Sequence, residues 1–144
     1  MSSRTKNLLW TIVVLIAFFM ITSVRGLNEI TIDFGDNVLS LSGPKQFSYL
    51  IEYDKIDSLS IIESFDPGTP VSGDENRRLM WGTYKNDRWG EYTLCVSKKI
   101  DCAILITMET GSLIVFNIES NDTTTALLDM FNDLLTARNT ALTG

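Results

Sequence analysis

From Glu29 to Ile118 the sequence is a series of short apolar alternations with short gaps and no helical pattern between them. Parallel neighbours need a crossover of a dozen residues or more, so this spacing predicts antiparallel pairing throughout. Glu29–Phe34 places Ile30, Ile32 and Phe34 on one face, Asp36-Asn37 turns, and Val38–Ser42 follows before Gly43-Pro44. Phe47, Tyr49, Ile51 and Tyr53 then alternate with a period of two, and Ile56–Ile62 continues the pattern. Ser64 to Asn76 holds Pro67, Gly68, Pro70 and Gly73 and reads as a loop. Arg77–Lys85, Glu91–Ser97, Cys102–Met108 and Ser112–Ile118 complete a set of seven or eight strands.

The periodicity changes once. Leu127, Met130, Phe131 and Leu134 fall at helical spacing, widened by Leu128 and Leu135, with Asp129 and Asp133 on the opposite side. Ser120, Asn121 and Asp122 offer caps, so a helix is expected over roughly Thr123 to Ala137. Its role would be to cover an open end of a small barrel or sandwich, and residues 139–144 would form a flexible tail.

The other end of the chain has a different character. Leu8 to Val24 is seventeen residues without a charge, about 25 Å long as a helix. Arg4, Lys6 and Arg25 flank it, and Trp10 suits an interface. Residues 1–26 are therefore expected to be an uncleaved transmembrane anchor. A signal peptide is the rival reading, weakened by the lack of an Ala-x-Ala site. The excess of cations before the segment puts the amino terminus in the cytoplasm and the domain, residues 27–138, outside a cell membrane crossed once.

Charge and composition limit function. Residues 27–144 hold nine basic and eighteen acidic side chains, a net charge of −9 that repels phosphate backbones. No nucleic-acid partner is expected. The chain has no histidine, which removes His bases and His metal ligands. No nucleophile–base pair stands out, so the expectation is a non-enzymatic chain with no cofactor and no metal.

Local sequence sharpens the fold class. Trp81-Gly82-Thr83-Tyr84, Gly90-Glu91-Tyr92-Thr93-Leu94, the Ile-rich Ala103–Thr107, Gly111–Asn117 and Tyr53–Leu59 together resemble the bacterial pleckstrin-homology-like domains. The resemblance covers about residues 28–138. It implies a mainly β, pleckstrin-homology-like barrel of about seven antiparallel strands in two bent sheets, closed by a carboxy-terminal helix, in a membrane setting. Lipid-binding members of the wider fold carry Lys and Arg around the loop between the first two strands. Here Asp33 and Phe34-Gly35-Asp36-Asn37 supply two acids and no base, which disfavours phosphoinositide binding.

The one basic cluster is interleaved with aromatics: Arg77, Arg78, Trp81, Tyr84, Arg88 and Trp89, with Lys85 between them. Arginine and aromatics dominate binding hot spots, so these six form the candidate interaction surface. The competing reading makes them a solvated hairpin whose aromatics pack inward and whose cations pair with Asp74, Glu75 and Asp87. Asp54 and Asp57 could serve as an acid and base, but among eighteen acids chance proximity explains the pair, and Asp33, Asp36 and Asn37 lack the spacing of a recognised calcium loop. The expected function is protein–protein interaction or scaffolding at the membrane, through an unknown protein partner. A small-molecule or lipid-binding module is the alternative. Cys95 and Cys102 would face each other in one register of a Glu91–Ser97/Cys102–Met108 hairpin. The register pairing Leu94 with Ile104 and Tyr92 with Ile106 makes a consistently apolar face and leaves both thiols free, and is preferred.

Overall fold

The structure, a computed structural model, describes residues 30–143 together with residues 4, 6, 7 and 10–15. Much of Leu8–Val24, and Leu27 to Glu29, lie outside the described residues. Residues 10–15 are helical, and Trp10, Ile12, Val13 and Val14 are exposed. Among the described residues no helix is long and apolar enough to cross a membrane.

Two sheets and one helix make up the rest. Strands β1 (Thr31–Phe34), β2 (Val38–Ser42) and β3 (Ser48–Glu52) form an antiparallel meander. A 3-10 turn, Tyr53–Lys55, leads into β4 (Ile56–Ile62). Then come β5 (Thr69–Glu75), β6 (Leu79–Asn86), β7 (Gly90–Ser97), β8 (Ala103–Met108) and β9 (Leu113–Phe116). These six strands form the second sheet, in the order β4-β8-β9-β7-β6-β5. Helix α1 (Asn121–Thr143) follows.

Strict alternation divides the large sheet into two apolar faces. Trp81, Cys95, Ile104, Ile106, Ile114 and Phe116 point toward the small sheet and meet Ile32, Leu39, Leu41 and Ile51. The face of α1 expected from its periodicity completes this core. Leu127 and Phe131 are fully buried, and the Phe131 ring meets Phe34 at 5.7 Å and Tyr53 at 6.1 Å, edge-on in both cases. The second face carries Tyr84, Tyr92, Leu94, Val96, Ala103 and Val115. It is covered by the connection Glu63–Gly68. β4 and β5 are opposite edges of the sheet, five strand spacings or about 24 Å apart if flat. The Asp66 and Pro67 carbonyls accept from Asn86 and Tyr92, and Phe65 packs on Trp89, so this connection lies over the face as a strap.

Several expectations are corrected. Pairing is not antiparallel throughout: β7 and β9 are parallel, with Leu94 opposite Val115. The long crossover that parallel strands require is supplied by β8 itself, which lies beyond β9 and pairs with β4. β7 and β8 are therefore not neighbours, and neither cysteine register exists; Leu94 meets Val115 and Gly82, while Ile104 meets Phe116 and Ile61. Both thiols are free and buried. The supposed loop contains β5. Pro70 is tolerated because β5 is an edge strand with a register shift between Pro70 and Ser72, and Gly73 because it lies against Gly82.

The seven-stranded closed barrel is also replaced, by nine strands in two sheets that share no ladder. The helix runs on to Thr143 instead of ending near Ala137, so most of the expected tail is helical. Arg138 holds this extension: its guanidinium donates to the Asp36 carbonyl at 2.6 Å and to Asp54 at 3.3 Å, and stacks over Tyr53 at 5.0 Å. The acidic β1–β2 turn thus receives its cation from a helix 102 residues away.

Candidate functional site

The hairpin β6–β7 separates the six candidate residues into two groups. Tyr84, Arg88 and Trp89 belong to its turn end, where Trp89 meets the strap. Trp89 packs on Phe65 at 5.8 Å and on Tyr92 at 5.1 Å, and Arg88 lies over the Trp89 ring at 5.5 Å. The Tyr92 hydroxyl donates to the Pro67 carbonyl at 2.7 Å, and Asn86 Nδ2 donates to the Asp66 carbonyl at 2.8 Å. Tyr84 reaches the β5 backbone, donating to the Asp74 carbonyl at 2.8 Å. Burial raises the pKa of both tyrosines, so these hydroxyls keep their protons and act as donors.

Arg77, Arg78 and Trp81 line a cleft of about 580 Å³ at the other end, where the two sheets part. Trp81, Leu79 and Ile118 form its floor, each under 10 % exposed. Asn117 holds the back wall. Its Oδ1 accepts from the Ser97 amide at 2.7 Å, and its Nδ2 donates to the Ser97 and Cys102 carbonyls at 3.3 Å. One buried amide thereby fixes the β7–β8 connection under the end of β9. Cys95, opposite Trp81 in the ladder, lies deep in the core, where burial pushes its thiol up to about 12 and keeps it protonated.

Sequence reasoning missed two cations of this cleft, Lys45 and Lys99. Lys45 arrives through the β2–β3 hairpin, whose turn Pro44–Phe47 is closed by the Phe47 amide donating to the Pro44 carbonyl. Lys45 and Gln46 both have positive φ, 52° and 63°, the backbone of a type I′ turn that Asn-Gly adopts at least cost. A Lys-Gln pair there gives no sequence signal. The turn carries Lys45 to 6.0 Å from the Trp81 ring and to 2.6 Å from Asp74. The Lys45 hydrogen bond, with help from the Glu75 amide, lowers the pKa of Asp74.

Four of the nine cations of residues 27–144 line this cleft, against two acids, Glu75 and Glu119. Glu75 is already paired with Lys98 at 2.8 Å. The cleft is thus a cationic rim around an apolar floor on an acidic domain. Such an arrangement has the chemistry to hold an anion beside an apolar group. A second hollow of about 950 Å³, on the strap side by Phe65, Met80 and Val96, lacks this concentration of charge. Comparisons of the chain with protein-family models, with curated proteins and with solved structures find no match.

Proposed function

We propose that this chain is a membrane-anchored, non-enzymatic binding module that engages a protein partner through the cleft beside Trp81. The observation that carries the reading is the inverted charge of that cleft relative to the domain around it. The proposal includes Leu8–Val24 as the anchor, with the domain outside the cell, and kinship with the bacterial pleckstrin-homology-like domains at the level of two packed sheets and a terminal helix. Exposed Trp10, Ile12, Val13 and Val14 support an apolar surface that lipid would cover. Only Arg25 to Glu29 separate Val24 from Ile30, a reach of about 20 Å, and Ile30 lines the cleft. The cleft is then held close to the membrane surface.

Carbonate washing followed by photo-crosslinking tests this. A photoreactive residue at Ile100, on the cleft, should give a discrete protein adduct in washed membranes, and one at Leu50, on β3, should not. Loss of the chain from washed membranes would overturn the anchor; adducts from Leu50 alone would overturn the surface. The second reading, a small-molecule or lipid site in the same cleft, is favoured by its volume, which lies in the range of ligand pockets.

A further inference from the structure

We infer that the cleft receives an extended peptide of a protein partner, one carrying a carboxylate next to an apolar side chain. This deepens the binding-module reading and rests on it.

Three observations converge on such a partner. The first is charge. Arg77 and Lys99 are exposed on the rim and have no ion-pair partner among the described residues, while Lys45 and Arg78 add to the positive field. A carboxylate arriving there exchanges water for charge-assisted hydrogen bonds, and everywhere else the acidic domain repels it. The second is the floor, where Trp81 and Leu79, both core residues, border the cleft and leave a small apolar area between these cations. The third is a strand edge. β1 pairs with β2 alone, so its other edge has no strand partner among the described residues, and Ile30 and Thr31 at its start border the cleft. An unpaired edge beside a pocket is what an extended peptide uses, its backbone bonding to the edge and alternate side chains entering the pocket. A lipid headgroup has no use for that edge.

Backbone strain marks the same place. Among the described residues three non-glycine positions have positive φ, and two of them, Lys45 and Glu119, line this cleft. Residues held in such conformations concentrate at ligand clamps, where the surrounding structure fixes a side chain in position. Here the strained turn delivers Lys45 to the Trp81 ring.

The test uses the full chain in mild detergent, panned against phage-displayed random dodecapeptides. The best peptide is then synthesised with a fluorophore and its binding read by anisotropy. The expected result is a consensus with Asp or Glu next to Phe, Leu or Ile. Its affinity should fall about ten-fold or more in Arg77→Glu/Lys99→Glu and stay unchanged in Lys85→Glu/Arg88→Glu. Circular dichroism checks that each variant is folded, with Arg77→Gln/Lys99→Gln as the milder pair. Peptides that bind both variants equally, or that lack acids, overturn the inference and leave the binding module standing. Recovery of no peptide, together with Arg77-dependent binding to phosphatidylglycerol nanodiscs, overturns it in favour of an anionic lipid headgroup. Recovery of neither overturns the inference and the module together.

Discussion

The β6–β7 hairpin has a tryptophan near each end, and the chain treats the two ends differently. Around Trp89 the polar side chains are turned inward onto the chain's own backbone: Tyr92 to Pro67, Asn86 to Asp66, Tyr84 to Asp74. Around Trp81 Asn76 and Asn117 bond to backbone in this way, accepting from the Arg78, Leu79 and Ser97 amides, but the exposed cations Arg77 and Lys99 stand on the rim of a cleft. Both ends hold arginine and aromatic residues, so composition alone gives them equal claims as a binding surface. What separates them is whether another segment of the same chain has already taken the place. The strap has done so at the Trp89 end, where the aromatic cluster serves stability.

The comparison can be broken most severely at Gly82, which lies between the two ends. Its φ is +101°, and a Cβ there would stand 2.5 Å from Gly73 Cα. Gly82→Ala forces β5 off β6, loosens both ends at once, and should cost about 3–5 kcal/mol in urea unfolding. A cost under about 1 kcal/mol would mean that β5 is not held against β6 as described.

Alkaline titration should act next most strongly. Burial raises Cys95 from 9.0 to about 12, Tyr53 from 10.0 to about 12, and Tyr92 further. A raised folded-state pKa means that the folded chain holds the proton more tightly than the unfolded one. This stability is complete below pH 9 and is lost as the pH climbs through 12. Thermal melting followed from pH 8 to 12 should show a falling midpoint; a flat profile up to pH 11.5 would contradict the burial of these groups.

A smaller change should tell the two ends apart. Tyr92→Phe leaves the Pro67 carbonyl without its donor and should cost about 1–2 kcal/mol while leaving peptide binding at the cleft intact. Binding that falls along with stability would mean that the ends are coupled. The smallest expected effect is a gain. Gln46→Gly relieves a positive φ of 63° in the β2–β3 turn and should stabilise the domain by about 0.5–1 kcal/mol, read as a higher urea midpoint.

Much of the local structure is legible in the sequence because local patterns determine it. β4 begins and ends where alternation places it, and the buried face of α1 follows its spacing, with Phe131 at the centre. What failed depended on contacts distant in sequence. Pro70 and Gly73 read as a loop because nothing nearby shows that β5 is an edge strand facing Gly82. The matched apolar residues of β7 and β8 suggested a hairpin, but β9 is equally apolar and lies between them. Half of the site was visible in Arg77, Arg78 and Trp81. Lys45 and Lys99 were not, since they reach the cleft only through a strained turn and a tertiary connection.

The place of β9 has a consequence for assembly. It joins β7 on one side and β8 on the other, and no other strand bridges those two. Until residues 113–116 have been synthesised, the large sheet can exist only as the β5-β6-β7 fragment and, apart from it, a β4–β8 pair. β9 must then enter parallel to one neighbour and antiparallel to the other, closing a chain loop that runs from Ser97 to Leu113. Such non-local closure is slow compared with hairpin formation. The β7 flank that awaits it, with Leu94 and Cys95, is apolar and unpaired in the meantime. A growing chain stalled before β9 would therefore expose a strand edge that invites pairing with other chains, and a nonsense change between Met108 and Leu113 should give aggregates in place of a soluble fragment.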